Sequence, residues 1–211
     1  MHSIFIPGPD GALECLLSEA LDQRSEPPKR VAIICHPHPL FEGNMHNKVV
    51  HTLARFYRDL SIPVIRFNFR GVGESEGKYA DGIGEIGDLL AIIRWLDETV
   101  KPAELELAGF SFGSYIAAAC AMKLENDDRI KRVVLIAPPV HHFDFQHYAN
   151  HNCPTIVVQG QEDEVVPANE VIEWATTNES NIQLIQMKDT SHFFHGQLVA
   201  LKQQLLDHTQ I

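Results

Sequence analysis

The chain has 211 residues, about one and a half times a usual domain length, and its 17 Lys+Arg against 28 Asp+Glu leave a formal net charge of −11. A surface that acidic repels phosphate backbones and anionic head groups, so neither nucleic acid nor a membrane is an expected partner. Hydrophobic residues at 45% and charged residues at 21% match a globular chain and exclude disordered, collagen-like and coiled-coil classes, and no apolar run approaches the ~18 residues of a membrane span.

The chain opens on two short apolar runs, residues 2–6 and 12–17, joined by Pro7-Gly8-Pro9-Asp10-Gly11, the signature of a hairpin. Its first residues lack the basic stretch and apolar run of an export signal, which makes a cytoplasmic location the expectation. The polar stretch 22–30 reads as a loop leading into 31–35, a continuous apolar run suited to a strand buried on both faces. Helical spacing over 44–60, a strand over 64–69, and apolar recurrences from Ile83 to Leu96 begin an alternation. It continues with strand 105–110, a helix over 112–124 that is apolar nearly all round, strands 133–137 and 155–158, helix 169–176, strand 182–187 and a last helix over 194–207. Strands separated by helices predict right-handed βαβ units. The expected architecture is a single α/β domain over 1–211: a doubly wound, mostly parallel sheet of eight strands with helices on both faces and no lid domain. Cys15, Cys35, Cys120 and Cys153 form no C-x-x-C pair and are expected to be small core hydrophobes.

Gly109-Phe110-Ser111-Phe112-Gly113 is a G-x-S-x-G placed where a predicted strand meets a predicted buried helix. In such an elbow the serine backbone is held in strained geometry with its hydroxyl clear of the sheet, and the flanking glycines let strand and helix approach closely. A serine hydroxyl is a poor nucleophile at neutral pH and needs a histidine base oriented by an acid. The chain order of this architecture puts the acid after the strand 155–158 and the histidine after the strand 182–187. The first position holds Glu162-Asp163-Glu164, of which the shorter Asp163 suits a fixed hydrogen bond to imidazole. The second holds His192 and His195. His192 lies nearer the strand end and is the expected base, with His195 a structural residue in the first turn of the helix.

The tetrahedral intermediate needs two backbone N–H donors. Phe112, directly after the serine, supplies one. The other comes from the loop after the strand 31–35, where Pro37 and Pro39 have no N–H; the candidates are His38 and Leu40. His36, His38, His141 and His142 invite a metal reading, but no carboxylate stands beside them at ligand spacing, and no metal or organic cofactor is expected. The Gly-rich segment Arg70-Gly71-Val72-Gly73-Glu74-Ser75-Glu76-Gly77 opens no G-x-G-x-x-G helix and carries no P-loop Lys-Ser/Thr, so it reads as a turn near the elbow with Arg70 as an internal anchor.

Taken together, His36-Pro37-His38-Pro39 after a strand, Asn68 to Gly77, the elbow, Asp163 and His192 resemble the α/β-hydrolase superfamily, and within it the small lid-less bacterial serine hydrolases related to dienelactone hydrolases. The resemblance covers about residues 31–196. Where many relatives carry His-Gly after the third strand, this chain has His36-Pro37; its serine at 111 separates it from dienelactone hydrolases proper, which use cysteine. The resemblance implies ester hydrolysis by Ser111, His192 and Asp163; the alternative reading is a thioesterase, peptidase or acyltransferase using the same residues, or a non-catalytic binding protein of the same fold. The 17 residues from Pro138 to Pro154 are too few for a lid, which favours a small-molecule ester over long acyl chains. The expected walls of the acyl site are Leu40, Phe41, Phe112, Val140, Phe143 and Phe193.

Overall fold

The alternating apolar runs assemble into one eight-stranded sheet in a computed structural model that describes residues 2–18, 21, 26–145, 148, 153–178 and 181–209. In chain order the strands are β1 (His2–Gly8), β2 (Gly11–Leu17), β3 (Arg30–Cys35), β4 (Val64–Phe67), β5 (Glu104–Phe110), β6 (Ile130–Ile136), β7 (Thr155–Gly160) and β8 (Ile182–Met187). The helices are α1 (Lys48–Asp59), α2 (Ile83–Thr99), α3 (Phe112–Lys123), α4 (Ala168–Thr177) and α5 (Leu198–Asp207).

Spatial order is β1-β2-β4-β3-β5-β6-β7-β8, and only β2 runs against the rest. The residues of β3 show why a continuous apolar run makes a central strand. Val31, Ile33 and Cys35 point into the core shared with α2, α3 and α4, while Ala32 and Ile34 point into the core shared with α1 and α5. Both faces are covered, so neither alternate set can be polar. All four cysteines are buried, and desolvation drives the thiols of Cys15 and Cys35 well up.

Two helix starts differ from the pattern read in the sequence, each for a local reason. The run from Asn44 becomes helical only at Lys48, because Asn47 caps it by accepting the Val49 N–H at 2.8 Å. The last helix starts at Leu198, not Phe194: Phe194 has φ 54° and seats its ring in the core, so the chain turns before it coils. His195 therefore sits exposed in that turn and not in a helical turn. Part of the 22–30 loop and of the β6–β7 connection lies outside the described residues. No helix among the described residues is long and apolar enough to cross a membrane.

Candidate active site

Parallel strands end together, so the loops after β3, β5, β7 and β8 gather at one edge of the sheet. At the end of β5 the chain must reverse within one residue into α3. Ser111 does so with φ 53° and ψ −121°, strained geometry for a residue with a Cβ. The flanking glycines make the turn sterically feasible. A Cβ on Gly109 would lie 2.1 Å from the Gly113 carbonyl oxygen, and one on Gly113 would lie 2.4 Å from that of Cys35. The Ser111 N–H donates to the Ile136 carbonyl at 2.8 Å, and the buried Ser114 hydroxyl lies 2.9 Å from the Gly109 carbonyl and 2.8 Å from that of Ile136.

The serine hydroxyl reaches His192 Nε2 at 3.2 Å. His192 Nδ1 lies 2.8 and 3.1 Å from the two carboxylate oxygens of Asp163, whose side chain is wholly buried. A carboxylate only accepts, so Nδ1 carries the proton and the Nε2 lone pair faces the serine. Burial pushes the Asp163 carboxyl up, but hydrogen bonds from His192 and from the Val166 and Val165 N–H groups win and hold it below its ordinary value. The ring of His192 is only 3% exposed and lies against Phe110 and Phe193, with centroids 5.0 and 5.1 Å away. Of the alternatives weighed from sequence, His195 is exposed and Glu162 is exposed, while Glu164 accepts the His192 backbone N–H at 3.1 Å. The sequence pattern does not mark that positioning contact, nor that of Gln159, whose amide donates to Asp163 Oδ2 at 3.1 Å. A glutamine at the end of an otherwise apolar strand was the available signal.

The loop after β3 is built by its imidazoles. His36 is fully buried, accepts the Phe69 N–H through Nε2 at 3.0 Å and donates from Nδ1 to the Pro37 carbonyl at 2.6 Å. Desolvation lowers its pKa to about 3, so it is neutral with both ring nitrogens occupied. His38 caps the short 3₁₀ turn Pro39–Phe41: its Nδ1 accepts the Leu40 N–H at 3.2 Å. Nε2 then bears the proton and donates to the Tyr79 hydroxyl at 3.1 Å. Desolvation and the nearby His142 both disfavour its protonation. With Leu40 N–H so engaged, the His38 and Phe112 N–H groups bond to none of the described residues.

Around this centre stand His38, Tyr79, Phe112, Tyr115 and Phe143, with Phe112 4.8 Å from His38 and 5.7 Å from Phe143 between ring centroids. Val140 and Phe143 are half-buried against the core, while Leu40, Phe41 and Phe193 are 66%, 80% and 42% exposed and form a rim more than a wall. Below them Arg70 is anchored by the buried Asp88, with Nη2 at 2.7 Å from Oδ1, which fixes the Gly-rich turn. Among the described residues no group of three or more His, Cys, Asp or Glu side chains is placed to hold a metal ion.

Comparison with known proteins gives a consistent picture. The family model for the alpha/beta hydrolase fold matches residues 34–151. An uncharacterized protein of Rickettsia prowazekii, RP471, is 36% identical over 92% of this chain and 82% of its own length. Among solved structures, an alpha-beta serine hydrolase homologue from Coxiella burnetii shares 39% identity over 99% of this chain and 97% of its own, with a TM-score of 0.89. XC6422 from Xanthomonas campestris, described as an a/b serine hydrolase without lid, shares 38% over 98% and 92%, with a TM-score of 0.86.

Proposed function

Because the chain belongs to the α/β-hydrolase family, whose fold supports hydrolase activity, we propose that it is a serine hydrolase that cleaves small carboxylic esters through an acyl-enzyme. The observation that carries this reading is the unbroken hydrogen-bond chain Ser111–His192–Asp163, with spacings of 3.2 and 2.8 Å.

In the reaction Ser111 Oγ attacks the ester carbonyl carbon while His192 Nε2 takes the hydroxyl proton. Asp163 holds the imidazole in the required tautomer and stabilises the imidazolium. The negative charge arising on the carbonyl oxygen is met by the N–H groups of Phe112 and His38. Collapse of the tetrahedral intermediate breaks the C–O bond, and His192 returns its proton to the leaving alcohol. A water molecule, deprotonated by His192, then attacks the acyl-serine, and the acid is released as Ser111 regains its proton. We assign the second oxyanion donor to His38 because Leu40 N–H is already bonded to His38 Nδ1. The serine strain has a use here: it keeps Oγ off the sheet, within reach of both base and substrate.

Small substrates suit a mouth whose apolar rim residues, Leu40 and Phe41, are largely exposed and whose flanking connection runs only from Ile136 to Thr155. Support for treating the whole chain as one hydrolytic domain comes from the single sheet, which carries elements of every part of the described chain. The test is covalent labelling by a fluorophosphonate, which reacts only with an activated serine. Stoichiometric label on the peptide containing Ser111, with hydrolysis of p-nitrophenyl acetate lost in step, is expected. A folded protein that takes up no label at Ser111 overturns the reading.

A further inference from the structure

A concave feature whose lining includes none of Ser111, Asp163 and His192 lies along α1. Between α1 and α5 is an open cleft of about 500 Å³, and its lining includes Lys48, Arg55, Arg58 and Lys202 together with His46 and His51. No carboxylate lines it. In a chain of net charge −11 that concentration of cations runs against the composition. Positions 48, 51, 55 and 58 recur at helical spacing, so the sequence of α1 stacks its basic groups along one solvent-facing stripe. Like charges at that spacing destabilise a helix unless a counter-charge lies between them.

Intramolecular neutralisation is incomplete. Asp59 pairs with Arg58 at 3.4 Å and with Lys202 at 2.5 Å, while Lys48 and Arg55 form no ion pair among the described residues. Four fixed cations against one carboxylate leave a local charge of 4 − 1 = +3 before either histidine is counted. Partial desolvation, and then the nearby Arg66, Arg55 and His46, lower the proton affinity of His51.

We propose that this cleft binds a small phosphorylated ligand carrying two or more linked phosphate groups. Guanidinium groups donate to phosphate oxygens in a planar, bidentate fork, and Arg55 and Arg58 stand on the same helix stripe with Lys202 facing them from α5. From Lys48 to Arg58 is ten residues, about 15 Å along a helix at ~1.5 Å per residue, more than one phosphate can bridge. A nucleic acid is the poorer occupant, because its charge continues past the cleft onto an acidic surface. The site is separate from Ser111 and does not depend on the hydrolytic reading.

The experiment is a titration of the intact protein with inorganic triphosphate at constant ionic strength, followed by NMR of the His51 and His46 imidazoles. Saturable shifts are expected, with the His51 pKa rising because a bound anion favours its charged form. The double variant K48Q/R55Q should bind at least about tenfold more weakly while still hydrolysing a neutral ester at the wild-type rate. If that variant does not fold, Lys202→Gln on the opposite helix should weaken binding in the same direction. Three results would each overturn the proposal: equal shifts from chloride at matched ionic strength, binding indifferent to these substitutions, or tighter capture of a single-stranded oligonucleotide than of triphosphate.

Discussion

Two loops at the carboxyl edge of the sheet solve similar problems by different physics. The turn after β5 is held by backbone against backbone, with Gly109 and Gly113 leaving no room for a side chain and Ser111 fixed at φ 53°. The loop after β3, through His36 and His38, is held by imidazoles, each accepting one backbone N–H, and its shape depends on which ring nitrogen carries the proton. One loop is set by steric exclusion, which solution conditions hardly touch. The other is set by protonation state, which pH can reverse.

The sharpest way to probe the first loop is to remove its hydroxyl. Ser111→Ala should keep the fold and lose about four orders of magnitude or more in kcat on a short aryl ester, because only binding and the oxyanion donors remain. A variant retaining more than a few per cent of wild-type kcat would sink the nucleophile assignment. His192→Ala should match it, whereas His195→Ala, altering an exposed residue in a turn, should stay near wild type. The reverse pattern would exchange the two histidines. Steric exclusion itself is tested by Gly113→Ala. Its new Cβ would meet the Cys35 carbonyl at 2.4 Å, and a stability loss near or above the upper end of the ~1–3 kcal/mol of overpacking is expected in urea unfolding. A neutral effect would mean that the strand and helix are not locked together as described.

This difference between the loops explains what was legible in the sequence. Steric exclusion leaves a spaced mark: two glycines around a serine, between an apolar run and a buried helix, locate the turn without any knowledge of partners. The eight strands were legible for a similar reason, since 31–35 and 155–158 have no polar alternation to offer solvent. Contacts chosen by side-chain reach leave no such mark. Nothing local distinguishes Leu40 N–H from His38 N–H; the choice appears only when the His38 ring folds back to cap its own turn. Likewise Glu164, read as a neighbour of Asp163, meets the backbone of a residue 28 positions away. The start of α5 differs from the sequence expectation because an apolar residue at Phe194 satisfies helical periodicity and core burial equally well, and φ decides between them.

The protonation-dependent loop gives the next effect in size. Folded His36 has its pKa lowered to about 3 by burial, whereas an unfolded histidine titrates near ~6.5. Between those values the unfolded chain binds a proton that the folded chain does not. Stability from this residue is therefore complete above about pH 6.5 and falls as pH drops, by up to ~1.4 kcal/mol per pH unit, until the folded form also titrates. Protonating Nε2 would also remove the acceptor for the Phe69 N–H. His36→Gln, which can still accept that bond, should lower stability at pH 7.5 but show a shallower loss between pH 6.5 and 4.5 than wild type. Parallel curves for the two proteins would remove His36 as the source. Asp163 acts in a lower window: its depressed pKa contributes stability above the ordinary carboxylate range that is lost as pH falls through the folded value.

The smallest effect reads the outer face of the same β3 loop. Leu40 and Phe41 project from the 3₁₀ turn at 66% and 80% exposure, so an acyl chain held against them is expected to be covered on one side only. Full burial of a methylene contributes ~0.8 kcal/mol, and a half-covered one correspondingly less. Across a series of p-nitrophenyl esters, kcat/KM should therefore rise by less than about fourfold per added carbon, as ~0.8 kcal/mol is about that factor, and peak at roughly two to four acyl carbons. It should decline beyond about eight, where added chain lies in water and lowers only solubility. Truncating the rim with Phe41→Ala should flatten the rise without moving kcat for the acetyl ester, since that acyl group is too short to touch it. An optimum at long chains, or a jump in rate above the micellar threshold, would mean that the rim closes over substrate and that the two loops differ less in rigidity than their contacts indicate.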